Sequence, residues 1–121
     1  MTDYSKMDDN ELNEAIFKAK GWAKVQQFTV AYIWQKTDWS PDRKTTTVTI
    51  LNDVPDYTHD WRLAGELLEE MKGSFVDLMH VVDLNEWECS WVGDDGVPDT
   101  AFAPTPQRAI CEAWLAWKEA E

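Results

Sequence analysis

The stretch that decides the fold is residues 54–61, Val54-Pro55-Asp56-Tyr57-Thr58-His59-Asp60-Trp61. Pro55 cannot continue a strand that precedes it, because proline has no backbone N–H to donate. Thr58 can accept hydrogen bonds from the free amides that open a helix, and Asp60 would lie against the positive end of the helix dipole. We therefore predict that a strand ends before Pro55 and that a helix begins just after Thr58.

The segment that follows, residues 61–71, is predicted to be an amphipathic helix. Its apolar residues recur at helical spacing, at Trp61, Ala64, Leu68 and Met71. One face of this helix is therefore apolar and must pack on another element. We expect that element to be a sheet.

Two further helices are predicted, one on each side of this central region. Asp8 and Glu11 have the spacing of a capping box, and the helical periodicity that follows predicts the first helix at residues 9–20. Gly21 can take the left-handed conformation that ends a helix, and Trp22 would fold back over that end. The pair Thr105-Pro106 predicts the start of the last helix, with a threonine cap and a proline in the first turn.

Four segments are rich in aromatic and β-branched residues and predict strands: residues 28–35, 45–51, 75–84 and 87–92. The third is apolar on both faces, so we expect it in the centre of the sheet with His80 buried. The order α-β-β-α-β-β-α, with hairpin connections, predicts an α+β fold in a single domain, residues 1–121. Its antiparallel sheet of about four strands would be layered with three helices.

Three segments resemble those of one family. Residues 55–64, Pro55-Asp56-Tyr57-Thr58-His59-Asp60-Trp61-Arg62-Leu63-Ala64, are similar to the Pro-x-Tyr-Ser-x-Asp-x-x-x-Ala element of the phage ABA sandwich domain family, with Thr58 in place of Ser. Residues 103–113 resemble the family's closing Ala-Pro-x-x-Ala-Ile-Cys-x-Ala helix, and residues 15–22 its opening helix. The resemblance implies a small phage-encoded protein, made in the cytoplasm of a bacterial host, without established enzyme activity. The chain differs from the family at His59 and in its many tryptophans.

The composition limits the classes of partner. A net charge of -12, from 23 acidic and 11 basic residues, cannot supply the large basic face that direct nucleic-acid binding needs. Cys89 and Cys111 lie in apolar segments without metal-ligand spacing, so we expect buried free thiols in a reducing compartment. No signal peptide or membrane-spanning run is indicated, which predicts a soluble, cytoplasmic protein without a membrane partner.

Catalytic and metal-binding motifs are not indicated. The sequence has no Gly-rich phosphate loop, nucleophile elbow or paired-cysteine metal site. The acidic turn Asp94-Asp95-Gly96 lacks the alternating ligand spacing of a calcium loop. We therefore expect no enzyme activity, no cofactor and no metal.

Binding is the function that remains, and the first hypothesis is the sequestration of a small nucleotide-type ligand in a counter-defence role. Aromatic side chains offer stacking surfaces, and the helix amides that open near Thr58 and Thr105 could hold an anion. We expect those two helix starts to lie together at the rim of one hollow. The predicted ligand-binding residues are Tyr57, Thr58, His59, Asp60, Arg62, Thr105 and Arg108.

The alternative hypothesis is that the acidic surface itself is the binding surface. An acidic protein can block a basic surface of a host protein, as an inhibitor or as a nucleic-acid mimic, and long-range attraction would speed its association. The acidic residues are spread through every segment, and charge of this sign also improves solubility. A homo-oligomer is compatible with either hypothesis.

Overall fold

The computed structural model describes residues 3–27, 31–51, 53–93 and 95–120. In these residues the α-helices are α1 (Asp9–Ala19), α2 (Trp61–Met71) and α3 (Pro106–Glu119). The strands are β1 (Ala23–Gln27), β2 (Ala31–Trp39), β3 (Thr46–Leu51), β4 (Asp77–Val81), β5 (Glu86–Val92) and β6 (Pro98–Ala103). Short 3-10 turns occupy Tyr4–Lys6 and Lys72–Ser74.

The strands form two antiparallel sheets, each with its strands in sequential order. The first sheet is β1-β2-β3 and the second sheet is β4-β5-β6. The predicted α+β class with three helices is confirmed, and the strands number six in two sheets rather than about four in one. The sequence does not indicate β1, because it carries Lys24 and two glutamines instead of an apolar alternation. It does not indicate β6 either, because Pro98-Asp99 is typical of a loop.

Helix α3 lies at the centre of the molecule. It contacts all three strands of the second sheet on one side and α1 and α2 on the other, and its residues Ala109–Leu115 are all buried. The first sheet joins the core from the side of α1, where the Trp34 ring centre lies 5.3 Å from that of Phe17. The second sheet therefore packs on α3, and the first sheet reaches the core through Trp34, next to α1.

The predicted ends of α1 are confirmed. Asp8 accepts from the Glu11 amide at 2.8 Å, and the Glu11 carboxylate accepts from the Asp8 amide, which is the reciprocal capping box. Gly21 has φ +98°, a conformation that favours glycine. The Trp22 ring then stacks on Phe17, with ring centres 4.4 Å apart and planes within 12°. This stack covers the end of the helix and places Trp22 next to the first sheet.

The start and the apolar face of α2 differ from the prediction. Asp60, and not Thr58, is the N-cap, because its carboxylate accepts from the amides of Arg62 and Leu63. The buried residues of this helix are Ala64, Leu67 and Met71. Trp61 is 54% exposed, so the prediction that it belongs to the apolar face is wrong.

The prediction of a central, doubly covered third strand is also wrong. β4 is an edge strand, because β5 pairs with β4 on one side and with β6 on the other. It is shorter than residues 75–84, since Phe75 has a left-handed φ of 52° and residues 82–85 form a turn. His80 is exposed, with its ring centre 5.0 Å from that of Trp87. The first predicted strand corresponds to β2, and its residues 28–30 lie outside the described part of the chain.

The two cysteines behave as predicted. Cys89 of β5 and Cys111 of α3 are both free thiols and both completely buried. Burial raises the pKa of the Cys89 thiol to about 12 and raises the pKa of the Cys111 thiol as well. Among the described helices, none is long and apolar enough to cross a membrane.

Candidate functional site

The residues before α2 form a loop that is tied to α1 by Asn13. The Asn13 side-chain oxygen accepts from the amides of Tyr57 at 2.8 Å and Thr58 at 3.2 Å, and its nitrogen donates to Asp56 at 3.0 Å. Asn13 is 6% exposed, and Thr58 is 2% exposed. The Thr58 hydroxyl also donates to Asp56, at 2.7 Å. The amides of Tyr57 and Thr58 are therefore already satisfied within the protein and do not face a ligand.

Tyr57 is a core residue. Its side chain is 5% exposed, and burial, with Glu66 and Glu70 nearby, raises the pKa of its hydroxyl to about 12. A buried ring in this position packs the core and does not offer a stacking surface. Our prediction that Tyr57 contacts a ligand has no support in this geometry.

The side chain of His59, in the loop before α2, and that of Arg108, in the first turn of α3, both contact one carboxylate at the start of α1. Asp9 lies 3.4 Å from the His59 ring nitrogen Nε2 and 2.7 Å from Nη1 of Arg108. The starts of α2 and α3 therefore both reach the start of α1, but none of the three cavities described below is lined by them, so the expected shared rim of one hollow is not found. The anionic group that His59 and Arg108 contact is Asp9, a side chain of the protein itself.

Arg108 is saturated by internal partners. Its Nε donates to Glu112 at 3.0 Å, its Nη1 donates to Asp9, and its Nη2 donates to the backbone oxygen of Met7. Its side chain is 15% exposed, and that of Glu112 is 6% exposed. Burial raises the pKa of Glu112, and the adjacent guanidinium opposes that rise. Arg108 thus neutralises a buried carboxylate and joins three segments, which is a structural role.

The remaining predicted site residues also have internal roles or point outward. Asp60 caps α2, and Thr105 caps α3 by accepting from the Arg108 amide at 3.3 Å. Arg62 is exposed and lies 3.7 Å from Glu66. The carboxylates of Asp9, Asp56 and Asp60 surround the place where an anion was expected. An anionic ligand would therefore meet repulsion there, and the three cavities described below are lined by other residues.

Asn13 is a residue of this region whose role was not predicted from the sequence. It lies on the buried side of α1 with Leu12, Ile16 and Phe17. A single asparagine on an otherwise apolar helix face is the sequence feature that could have identified Asn13, because a buried amide needs hydrogen-bond partners. The partners here are the loop amides that precede α2.

The second sheet has an unusual charge distribution, which was not predicted from the sequence either. Residues 73–107 contain seven acidic residues and no Lys or Arg. The seven are Asp77, Asp83, Glu86, Glu88, Asp94, Asp95 and Asp99. The acidic residues are spread along the chain, but the basic residues are not. The absence of Lys and Arg from residues 73–107 is the sequence feature that indicates this charge distribution.

The outer face of the second sheet, which is turned away from α3, combines this charge with apolar side chains. The register places Met79, Glu88 and Phe102 side by side across the three strands. Met79 is 55% exposed and Phe102 is 40% exposed. Glu88 accepts from the Ser90 hydroxyl at 2.8 Å, which fixes its carboxylate between the two apolar side chains. Asp77 and Glu86 lie on the same face.

A cavity of about 460 Å³ lies at one end of the second sheet. Its walls include the indoles of Trp91 and Trp117 and the side chains of Asp95 and Asp99. Trp117 is oriented by a 3.0 Å hydrogen bond from its Nε1 to the Ser74 hydroxyl. Aromatic faces next to carboxylates form an environment that favours a cation.

Three of the eleven basic residues lie, together with Glu70, around a hollow of about 270 Å³ between α1, α3 and the first sheet. Three lysines line it together with two tryptophans: Lys20, Lys36, Lys118, Trp22 and Trp114. Lys20 donates to Glu70 at 2.8 Å and lies 5.2 Å from the ring centre of Trp114. The Trp114 Nε1 is the one buried side-chain polar atom without a hydrogen-bond partner among the residues that the structure describes.

Within the described ranges, no three His, Cys, Asp or Glu side chains are grouped closely enough to hold a metal ion. The chain was compared with models of protein families, with curated proteins and with solved structures, and none of them matches it.

Proposed function

We propose that the chain is a non-enzymatic binding protein whose second sheet engages a basic surface of another protein. The single observation that carries this proposal is the outer face of that sheet, where Asp77, Glu86 and Glu88 lie among exposed apolar side chains and no Lys or Arg occurs in residues 73–107. The predicted resemblance to a phage family would make the partner a protein of the bacterial host.

The arrangement of Met79, Glu88 and Phe102 is what a specific interface needs. Apolar side chains at the centre of an interface supply affinity, and a fixed carboxylate between them supplies selectivity for a cationic group. A purely solubilising charge would not need a carboxylate that is held by the Ser90 hydroxyl. The pattern therefore favours recognition over simple solubility.

The cavity beside Trp91 and Trp117 opens at the end of the same sheet, on the side of α3, and offers a separate site for one cationic side chain. A lysine or arginine of the partner would enter between the indoles and the carboxylates of Asp95 and Asp99. Cation–π contacts and charge-assisted hydrogen bonds are both strong in a partly enclosed site. Such a buried anchor is typical of the residues that dominate binding energy.

Charge reversal on the outer face tests the proposal. The immobilised chain is expected to retain basic proteins from a host lysate at low salt and to release them as salt rises. The variant Glu86→Lys/Glu88→Lys should lose this retention. The control Asp38→Lys/Asp42→Lys changes the net charge by the same amount, but on the first sheet and its loop. It should still retain basic proteins. Equal retention by both variants, or indifference to salt, would reject the proposal.

A second candidate function is the capture of a small anion that carries an aromatic ring, such as a nucleotide. It is favoured by the hollow that Lys20, Lys36 and Lys118 share with Trp22 and Trp114. This is not the predicted ligand site, which lies at the starts of α2 and α3. Thermal denaturation with a panel of linear and cyclic nucleotides tests it, since a ligand at 100 times its dissociation constant stabilises a fold by about 2.7 kcal/mol. Unchanged melting with every nucleotide removes this candidate.

A further inference from the structure

A third cavity, of about 380 Å³, lies between β6, α3 and the turn Tyr4–Lys6. Small-molecule sites in proteins begin at about 300 Å³, so this cavity is large enough for a small organic ligand. It adjoins the cavity beside Trp117, because Trp91 and Asp99 line both. Phe102, at the edge of the acidic outer face, also borders it. Its other walls have no part in the function proposed above.

Short side chains leave this space open. Ala116 and Ala120 lie one and two helical turns after Glu112, on the same face of α3, and all three line the cavity. On β6, Ala101 lies opposite Cys89, and because Cys89 is completely buried, this side of the strand faces α3. Alanines on both the helix and the strand cannot fill the gap between them. The cavity therefore follows from the residues at these positions.

The turn that borders the cavity is fixed to α3 by two contacts. The Tyr4 hydroxyl donates to the Glu119 carboxylate at 2.6 Å. At the other end of the turn, Nη2 of Arg108 donates to the backbone oxygen of Met7. The wall is therefore in place before any ligand binds, which lowers the entropic cost of binding.

Glu112 provides a buried acceptor at this cavity. Its side chain is 6% exposed, and its Oε2 accepts from Nε of Arg108 at 3.0 Å, whereas its Oε1 has no hydrogen-bond partner among the described residues. In that part of the chain, Trp114 Nε1 is the one completely buried side-chain polar atom without a partner. Oε1 of Glu112 is therefore not sealed inside the protein and reaches the cavity that Glu112 lines. Arg108 also pairs with Asp9, so one guanidinium serves two carboxylates and a negative charge remains.

The other charged side chains at this cavity are acidic as well. Asp3 and Asp99 line it, and none of the described lining residues is Lys or Arg. Lys6 lies 4.0 Å from Asp3 but is 84% exposed, so it offsets that charge only weakly. Burial raises the pKa of Glu112, and repulsion from Asp3 adds to the rise. Carboxylates next to the indole of Trp91 form an environment that favours a cation with an apolar body.

We propose that this cavity binds a small organic amine in its ammonium form. The ammonium group would donate to Oε1 of Glu112, and the apolar body would lie between Trp91 and Ala116. An anionic ligand would meet three carboxylates, and an apolar ligand would leave Oε1 of Glu112 without a donor. A lysine side chain of another protein carries the same group, and the experiment below separates that source from a free amine.

Three probes of similar shape and different charge test the selectivity. They are 2-phenylethylamine, which is a cation at pH 7, the neutral 2-phenylethanol and the anion phenylacetate. In NMR titrations of the full chain, the amine should bind at least about tenfold more tightly than the alcohol, and phenylacetate should not bind. The largest shifts should occur at Trp91 and Ala116. Equal affinity for the amine and the alcohol, or the absence of saturable amine binding, would overturn the inference.

Two variants and a matched control locate the amine. Glu112→Gln removes the charge and keeps an acceptor for Arg108, and Ala116→Leu fills the cavity without a change of charge. Each should weaken amine binding at least about tenfold, so one of them suffices if circular dichroism shows that the other does not fold. Asp95→Asn removes a charge that lines only the adjoining cavity and should weaken binding less than about threefold. Equal weakening by Asp95→Asn and Glu112→Gln would place the amine in the adjoining cavity and overturn the inference.

The amine site and the proposed protein interface can fail separately. Glu112→Gln should leave the retention of basic proteins unchanged, because that retention is attributed to the outer face of the second sheet. Loss of retention in this variant would mean that a lysine of the partner enters the cavity, which would overturn a site for a free amine. Conversely, a negative result of charge reversal on the outer face leaves the amine titrations unaffected.

Discussion

Arg108 Nη1 lies 2.7 Å from Oδ1 of Asp9, a contact between residues 99 positions apart in the chain. The same guanidinium neutralises the buried Glu112. A substitution of Arg108 therefore acts on stability and not on ligand binding, which replaces our sequence-based expectation for this residue.

We predict that Arg108→Met lowers the free energy of unfolding by about 3–5 kcal/mol at pH 7, because it leaves Glu112 buried and unpaired. The pKa of Glu112 is already raised by burial, and it would rise further without Arg108. In this variant, Glu112 is neutral below the pKa that it has in the unfolded chain, so burying it carries no charge penalty there. Above the pKa that it has in the folded protein it is ionised, and the full penalty for burying its charge applies. Urea unfolding should therefore show a smaller loss at pH 4 than at pH 7, and Arg108→Met/Glu112→Gln should regain stability at pH 7.

Asn13 offers a test of the loop before α2. Asn13→Ala leaves the buried amides of Tyr57 and Thr58 without acceptors, which costs about 1–3 kcal/mol. Asn10→Ala, at an exposed position of the same helix, should change stability by less than about 0.5 kcal/mol. Equal losses in chemical denaturation would mean that helix propensity, and not the loop, explains the effect.

Alanine substitutions at Gly21 and Gly65 should change the stability of the fold in opposite directions. Gly21 has φ +98°, so Gly21→Ala strains the backbone and should destabilise the fold by about 1–2 kcal/mol. Gly65 lies inside α2 with open space around it, so Gly65→Ala should stabilise by about 0.5–1 kcal/mol. Melting temperatures of the two variants should therefore move in opposite directions. A stabilised Gly21→Ala would contradict the conformation described for the end of α1.

Both thiols should be inert in the folded protein. Cys89 and Cys111 are buried and their pKa values are raised, so few thiolates exist at pH 8. We expect a disulfide reagent to label neither residue on the time scale of minutes in buffer, and both within that time in denaturant. Rapid labelling of the native protein would show that the core opens around α3.

The cation-binding cavity can be tested with a short lysine-rich peptide. Asp95→Asn/Asp99→Asn keeps the shape of the side chains and removes their charge, so it should weaken peptide binding about tenfold, or about 1.4 kcal/mol. Asp83→Asn/Asp42→Asn removes the same charge at exposed positions that do not line this cavity. Calorimetry should show a smaller change for this control, and equal weakening would mean that net charge alone decides affinity.

The sequence predicts those parts of the fold that depend on local patterns. The capping box at Asp8, the glycine end at Gly21 and the Thr105-Pro106 helix start need only a few neighbouring residues, and all three are confirmed. The cap of α2 could not be predicted in the same way. Thr58 and Asp60 are both suitable caps, but the Thr58 hydroxyl donates to Asp56, a carboxylate that Asn13, distant in the chain, also holds.

The candidate ligand site fails for a similar reason. A sequence shows that Arg108 is basic and lies near a helix start, but it does not show that Asp9 and Glu112 occupy its donors. Long-range pairing of charges depends on the tertiary fold. The distribution of charge along the chain is visible in the sequence, and the absence of Lys and Arg from residues 73–107 could have been noticed there.

The central position of α3 has a consequence for the way in which the chain is made. Both sheets and the other two helices precede α3 in the order of synthesis, yet its buried residues Ala109–Leu115 pack against the second sheet, α1 and α2. Until α3 emerges from the ribosome, the inner face of the second sheet lacks its packing partner and is open to misassociation. We therefore expect nascent chains that are stalled before residue 106 to be preferred clients of chaperones that hold exposed apolar surface.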